Sequence, residues 1–420
     1  MRAVGLNEVT QSGAIAYDNF SVRGPYYTNT DGTLGIPFSY NESYGYSNVN
    51  GTPIIENMPA GNGYNFSEGY AIVGNTVIDT AGQRVCELPE YIYGGYFQDG
   101  QALFVRTEQI ADSLYARDYN VYIAVLDKNM KFSENMVILP DGMHVSTNWF
   151  ASNSDGVGCA FGLYGNKSVE SSIGIVNTNG EIIASFNGEK AYQSAVSAFS
   201  FVNISAAMSH SSAIGLTDTD LTKMIFAKNG YVNVMNDSGK WGLMSIVSGQ
   251  MVIDYQYDYV GAYSDGVIPV CQYGTWGAID MNGNVVIPCQ SYKYISAFVN
   301  GRAIAISSSE TVCVIDKSGS VVGTVNANVS GSTLSGTRKS MFYTDFSEGT
   351  NIACIYLYKK AWLVSNTGEI LLSIEINSYD DLEDFLYMNN DYVVVQKKDG
   401  YHVYEIQKEE MSNDISRSNE

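Results

Sequence analysis

Histidine is nearly missing from this 420-residue chain, which has only His144, His210 and His402. None stands in an HExxH or HxH pair, so the usual spacing of a zinc centre or an imidazole general base is not there. His402 falls on a repeat position held by glycine in better copies, and His144 and His210 lie in polar insertions. Basic residues are scarce too: 23 Lys and Arg face 44 Asp and Glu, for a formal net charge of −21. Such a surface repels nucleic-acid phosphates and anionic lipid headgroups, disfavours both as partners, and promotes solubility. The six cysteines, Cys86, Cys159, Cys271, Cys289, Cys313 and Cys354, form no CxxC pair, so no zinc site is expected. No apolar run approaches the ~20 residues of a membrane-spanning helix. Nor does the apolar core of a signal peptide follow Met1-Arg2-Ala3-Val4-Gly5. Gly-x-Ser-x-Gly with a usable triad and glycine-rich phosphate loops are also lacking. No metal and no cofactor is expected.

What is abundant is turn and strand chemistry. The chain has 41 Gly and 32 Tyr, and only 16% of its residues are charged. Glycine with Asn, Ser and Thr marks tight turns, and tyrosine favours strands; helices would draw on Ala, Leu, Glu and Lys. An all-β chain is expected.

A cassette recurs along it. Trp241-Gly242 and Trp276-Gly277 stand 35 residues apart. The clearest copy runs from Tyr263-Ser264-Asp265-Gly266 through Trp276-Gly277-Ala278-Ile279-Asp280 to Asn282-Gly283-Asn284-Val285-Val286-Ile287-Pro288. Positions equivalent to Asp280 are Asn29, Asp79, Asp127, Asn177, Asp218, Ser245, Asp316, Ser365 and Glu405. Two apolar residues precede most of them, and glycine follows three residues on in Gly32, Gly82, Gly180, Gly283, Gly319 and Gly368. A strand running into a turn that needs a positive φ is the natural reading, with the Asp or Asn side chain bonding the turn backbone. Upstream lies an aromatic-polar-acidic-Gly anchor, as in Phe66-Ser67-Glu68-Gly69, Phe97-Gln98-Asp99-Gly100 and Phe346-Ser347-Glu348-Gly349. A strand follows each anchor. Five residues past the anchor glycine stand Val105, Cys271, Ile306 and Cys354, so cysteine there reads as a small buried apolar residue.

Lys240-Trp241-Gly242-Leu243-Met244, Thr275-Trp276-Gly277-Ala278-Ile279-Asp280 and Phe346-Ser347-Glu348-Gly349 resemble the bacterial WG-repeat family. The resemblance covers roughly residues 13–406 and is strongest over about 230–320. It implies a β-propeller-like array with no shared catalytic residues. Elsewhere Ile173, Ile123, Val312 or Tyr401 replaces the tryptophan, which marks it as a packing residue; its glycine lets a neighbouring chain come close.

A three- or four-stranded unit cannot bury both faces alone, so the units must stack. The spacing favours a propeller of seven to ten blades or hairpin units over an open solenoid-like array. The domain plan is an N-terminal segment 1–12, a single repeat domain 13–406 and a disordered polar tail 407–420. Closure is expected from residues 14–37 completing the blade begun by Tyr392–Ile406.

No catalytic constellation emerges. Asp218-Thr219-Asp220 and Asn29-Thr30-Asp31-Gly32 are fragments of a calcium loop without enough oxygen ligands. Asp380-Asp381-Leu382-Glu383-Asp384-Phe385-Leu386 has a helical period and reads as a solvated turn of helix. The candidate binding residues are tyrosines: Tyr44 and Tyr46 near the start, and Tyr255, Tyr257, Tyr259 and Tyr263 after the first Trp-Gly unit. Their rings suit protein or glycan recognition at low entropic cost. Trp241, Gly242, Trp276, Gly277, Asp280 and Gly283 are the structural signature. The expected function is a monomeric, non-catalytic scaffold that binds a protein or glycan through rim loops. These are the places where the spacing stretches: 41–64, 106–121, 140–170, 186–212 and 323–345. The alternative is a polysaccharide hydrolase or lyase with paired carboxylates at a central channel. A Lys-poor, Tyr- and Asn-rich composition suggests the cell surface or secretion; free thiols suggest the cytoplasm.

Overall fold

The unit of this fold is a hairpin braced by one polar side chain. In the computed structural model, Asp280 Oδ1 accepts the N–H groups of Asn282 and Asn284, both at 2.8 Å. Asp79, Asp127, Asn177 and Asp316 make the same pair of bonds two and four residues on. Gly82, Gly180, Gly283 and Gly319 close four of these turns, and Gly368 closes the one at Ser365, with φ of 74–85°, a region that costs an L-residue a Cβ clash; Met130 at φ 60° closes the turn of Asp127. The turn chemistry expected at Asp79, Asp127, Asn177, Asp280 and Asp316 is therefore found; Glu405, expected at such a turn, lies instead within the strand Gly400–Glu409, paired with Tyr392 and Asn7, and Asn29, Gly32 and Asp218 lie outside the described residues.

The structure describes residues 2–9, 21–22, 36–40, 43–47, 53–58, 66, 68–89, 92–93, 97–98, 100–109, 119–139, 143–145, 151–152, 158–165, 171–198, 227–325, 341–343, 346, 349–357, 360–365, 366–375, 386–388, 391–397 and 400–409. Across them the strands fall into eight antiparallel sheets, and the seven-stranded one holds two units, which makes nine blades. Blade 1 holds Ser21–Val22, Ile36–Tyr40, Ser43–Ser47 and Pro53–Met58, and blade 2 holds Tyr70–Val73, Thr76–Asp79 and Arg84–Glu87. Blade 3 runs from Ile92–Tyr93 and Phe97–Gln98 through Gln101–Gln109 and Tyr119–Asp127 to Phe132–Met136. Blade 4 runs from Met143–Val145 and Ala151–Ser152 through Gly158–Gly165 and Ser171–Asn177 to Ile182–Asn187. Blade 5 is Ala227–Lys228, Tyr231–Met235, Trp241–Ser245 and Met251–Tyr257. Blades 6 and 7 share one long strand: Tyr259–Val260, Ile268–Gln272 and Thr275–Ile279 lead into Val285–Ile295, which continues to Arg302–Ser307, Val312–Asp316 and Val321–Thr324. Blade 8 is Met341–Tyr343, Ile352–Leu357, Lys360–Ser365 and Ile370–Glu375.

Blade 9 is assembled from both parts of the chain. Leu386–Met388, Tyr392–Lys397 and Gly400–Glu409 are completed by Arg2–Glu8, which pairs antiparallel with Gly400–Glu409. An open row would separate its first and last units, whereas this pairing brings the array back to its start. The fold is a β-propeller, and the nine blades fall inside the expected range.

Each blade buries both faces because side chains alternate along its strands. On Arg302–Ser307, Ala303 and Ala305 join the core shared by blades 4–7, while Ile304 and Ile306 join the core shared with blade 8. Comparable cores link blades 1 and 2, 2 and 3, 3 and 4, and 8 and 9.

Three sequence expectations need correction. Arg2–Glu8 closes the ring, not residues 14–37, and Ile36–Tyr40 belongs to blade 1. The repeat domain therefore includes part of the presumed N-terminal segment and reaches Glu409. The first hairpin joins Ser43–Ser47 to Pro53–Met58, so its turn is 48–52 and Tyr44-Gly45 stands where Trp-Gly stands in blade 6. The pairings Tyr46↔Ile55 and Ser47↔Pro53 repeat the offsets of Ala278↔Ile287 and Ile279↔Val285. Much of 41–64, expected as an insertion, is thus a blade.

Candidate binding face at the helix-bearing end

Strand order gives the ring two unlike ends. At the turn end, strands one and two of a blade meet, as do strands three and four. At the opposite end, strands two and three meet, and each blade passes to the next.

The turn end spends its polar groups internally. Glu68-Gly69, Asn229-Gly230, Asp265-Gly266 and Asn300-Gly301 all have paired positive φ values, the signature of a two-residue type I′ turn. These are the anchors, and each reaches its neighbour. Glu68 Oε2 accepts the Gly100 N–H of the next blade at 2.8 Å. Asp265 accepts the Gly301 N–H in a short bond and also pairs with Lys317. Asn229 Nδ2 donates to Tyr263 O at 3.1 Å, and Asn300 Nδ2 donates to Asn351 Oδ1 at 2.9 Å. Hydrogen bonds from Asn284 and Asn282 hold the Asp280 carboxyl below the usual range; Ser318 and the turn backbone do so for Asp316.

At the opposite end the described strands stop and resume across residues 10–20, 110–118, 188–226, 326–340 and 376–385, and at the turn end they do so across 23–35. Within 188–226 lies the helix α1, Gly188–Ala198. Asn187 caps it, Oδ1 accepting the Lys190 N–H at 2.9 Å, which satisfies a donor with no intrahelical partner. The helix lies against blade 4 and the first strand of blade 6. The two signature tryptophans hold it. Trp241 Nε1 donates to Ser194 Oγ at 2.9 Å, and Trp276 Nε1 donates to Ala198 O at 3.0 Å. Ser194 Oγ in turn donates to Asp258 O at 2.8 Å, and Lys190 Nζ donates to Asp237 O at 3.1 Å.

An aromatic row runs beneath. Phe186 meets Trp241 at 5.8 Å between ring centroids, Trp241 meets Tyr259 at 5.0 Å, Tyr259 meets Trp276 at 5.9 Å, and Trp276 meets Tyr294 at 4.9 Å. The tilted and edge-on geometries are those that ring quadrupoles favour. Gly242 and Gly277 make this possible. A Cβ on Gly277 would stand 2.3 Å from Ile287 O, and one on Gly242 would stand 2.5 Å from Ile253 O.

The candidate tyrosines separate into classes. Tyr46, Tyr257 and Tyr259 are buried in inter-blade cores, so packing accounts for them and their rings offer no face to a ligand. Burial pushes the Tyr259 phenol well above the usual tyrosine range, despite its bond to Asn233. Tyr255 and Tyr263 are half-buried against the same core. Tyr44 pairs through its backbone in blade 1, and its side chain lies outside the described residues. Sequence reading missed Tyr273, which is 86% exposed at the helix-bearing end. It sits at φ 54° before Gly274, its N–H held by Asp258 Oδ2 at 2.5 Å, while Lys240 Nζ pairs with Asp258 Oδ1 at 2.6 Å. The available signal was the Tyr-Gly pair in a two-residue turn, where a bulky residue with positive φ is uncommon.

His402 is buried and bonds Glu8 of the closing strand through Nδ1; His210 lies outside the described residues. Buried polar residues, among those described, are Thr, Asn, Ser and His. Cys271 and Cys354 are buried in the core, as the repeat alignment implied, and Cys313 is buried too; none of the three is in a disulfide. Among the described residues no three His, Cys, Asp or Glu side chains group as a metal would need, and no helix is long and apolar enough to cross a membrane.

Residues 241–276 and 276–306 match the model of the WG containing repeat. No curated protein matches the chain. Among solved structures, the chain is similar to BamB from Moraxella catarrhalis at 12% identity, over 95% of this chain and 99% of that one, with a TM-score of 0.39. It is also similar to the WD40 β-propeller domain of Doa1 at 12% identity, over 74% and 90%, with a TM-score of 0.31. A prolyl endopeptidase structure follows at 10% identity, over 76% and 50%, with a TM-score of 0.37.

Proposed function

We propose that this chain, a nine-bladed propeller carrying WG containing repeats at 241–306, is a non-catalytic scaffold that binds a partner on the loops of its helix-bearing end. One observation carries the reading. Among the described residues the turn end is largely closed by short turns whose polar groups bond one another, whereas the strands that flank most of the long intervals in the chain end at the other side. Binding residues gather on loops held by a rigid frame. Exposed Tyr273, braced by Asp258 and Lys240, stands among them. The partner is a protein or a glycan, and an extracytoplasmic location suits the composition.

The test shortens 326–340 and 376–385 separately to tight turns, then compares capture of proteins and arrayed glycans with the intact chain. Binding that falls with either deletion, while substitutions at 282 and 318 leave it unchanged, supports the proposal. Binding that depends only on the turn end overturns it.

A further inference from the structure

We infer that the cleft holding α1 is a helix-reading site, and that α1 is its intramolecular occupant. The partner it fits is an amphipathic helix with small residues at i, i+3 and i+7. This deepens the binding role proposed above and rests on it for biological meaning, though not for its chemistry.

Four observations meet at this cleft. The floor is built from Phe186, Trp241, Tyr259 and Trp276 of blades 4–6, and Ala191 and Ala198 of α1 complete the same core. Its two indole N–H groups meet acceptors at Ser194 and Ala198. Those residues are four apart, one turn of an α-helix. The donors therefore read helical spacing, and an extended segment would place the same two residues some 13 Å apart instead of about 6 Å.

The helix offers small residues to this floor. Ala191, Ser194 and Ala198 lie on one face, and both alanines are buried in the shared core. Larger side chains there would meet the rings. An isolated eleven-residue helix is marginal in water, so the cleft supplies much of what keeps Gly188–Ala198 helical. A surface that imposes a helix on one segment can do so for another of the same pattern, which is the helix-in-groove mode of recognition.

The donors also occur where the helix is. At the equivalent position blades 3, 4, 7 and 8 carry Ile123, Ile173, Val312 and Ala361, none of which has a side-chain N–H, and the Asn75 amide of blade 2 donates locally to Leu88 O. Tryptophan stands in blades 5 and 6 alone among these, the two blades that bond α1.

The experiment uses the full chain and a fluorescein-labelled peptide of residues 187–198. Saturable binding is expected, weakened about tenfold by Trp276→Phe, which keeps a ring and loses the donor. It should be abolished when the peptide carries Ala191→Leu and Ala198→Leu. Hydrogen exchange supplies the second readout: α1 amides should exchange by local opening, well before those of 241–245 and 275–279. No saturable peptide binding overturns the inference, and so do α1 amides that exchange only when those strands do. Peptide binding without capture of any partner by the loops would sink the scaffold proposal and leave the cleft standing. Loop-dependent capture without peptide binding does the reverse.

Discussion

The indole N–H of Trp276 donates to the carbonyl of Ala198 at 3.0 Å, across 78 residues of sequence. A tryptophan that defines the repeat thus does two jobs: its ring packs between Tyr259 and Tyr294, and its edge ties down an insertion. Trp276→Phe touches both. The smaller ring leaves a void beside Tyr259 and Tyr294 and strands the Ala198 carbonyl, a loss of about 2 kcal/mol. We expect a drop in denaturant midpoint and a selective rise in amide exchange over 188–198.

The glycines beside these tryptophans are a sharper matter. Gly277→Ala would drive a Cβ to 2.3 Å from Ile287 O and 2.7 Å from Cys289 N. Backbone on both sides cannot yield, so we expect a loss of about 3 kcal/mol. Gly266→Ala meets open space at φ 82° and should cost only the backbone strain, about 1 kcal/mol. Urea denaturation of the two variants should separate them clearly.

The anchor acids act between blades. Asp265→Ala removes the acceptor for the Gly301 N–H and the partner of Lys317. Because the carboxylate is partly exposed, solvent screens the pair, and a loss of about 1 kcal/mol is expected. Cross-blade coupling should appear in a double-mutant cycle with Lys317→Ala. An interaction energy near zero would show the ion pair to be idle.

Two pH limits follow from the shifted groups. Turn hydrogen bonds lower the carboxyls of Asp127, Asp280 and Asp316 from 3.8. Their contribution is present above that value and lost as pH falls through the folded values. At the alkaline side, burial pushes the Cys271 thiol up to about 12 and Cys313 to about 11, from 9.0. That stabilisation is complete below pH 9 and lost as pH rises toward 11–12. Cys271→Val, matching Val105 of blade 3, should fold and should soften the alkaline loss, as read from midpoints at pH 7, 9 and 10.5.

Local chemistry was legible in the sequence, and partnerships between distant residues were not. Asp280 with Gly283 announces its turn because donor, acceptor and glycine lie within four residues. Asp265 bonding Gly301 is invisible, since the partner is a backbone N–H one blade away. The first blade was misplaced because Tyr44-Gly45 hides a Trp-Gly unit behind an ordinary tyrosine, and the strand register reveals it. For the same reason Tyr46, Tyr257 and Tyr259 looked like binding residues: alternation along a strand marks a shared face without telling whether another blade covers it. The closing strand Arg2–Glu8 has no repeat signature to display. α1 was missed because eleven residues with two buried alanines resemble any polar insertion.

If the helix-bearing end does the binding, a steric block there stops it and the same block at the turn end does not. An azide-bearing phenylalanine placed at Tyr273, or in a second variant at Asn282, would carry a 5 kDa polymer to one end or the other. We expect the polymer at 273 to lower partner capture at least tenfold and the polymer at 282 to leave it unchanged. Capture lost at 282 and kept at 273 would contradict the account.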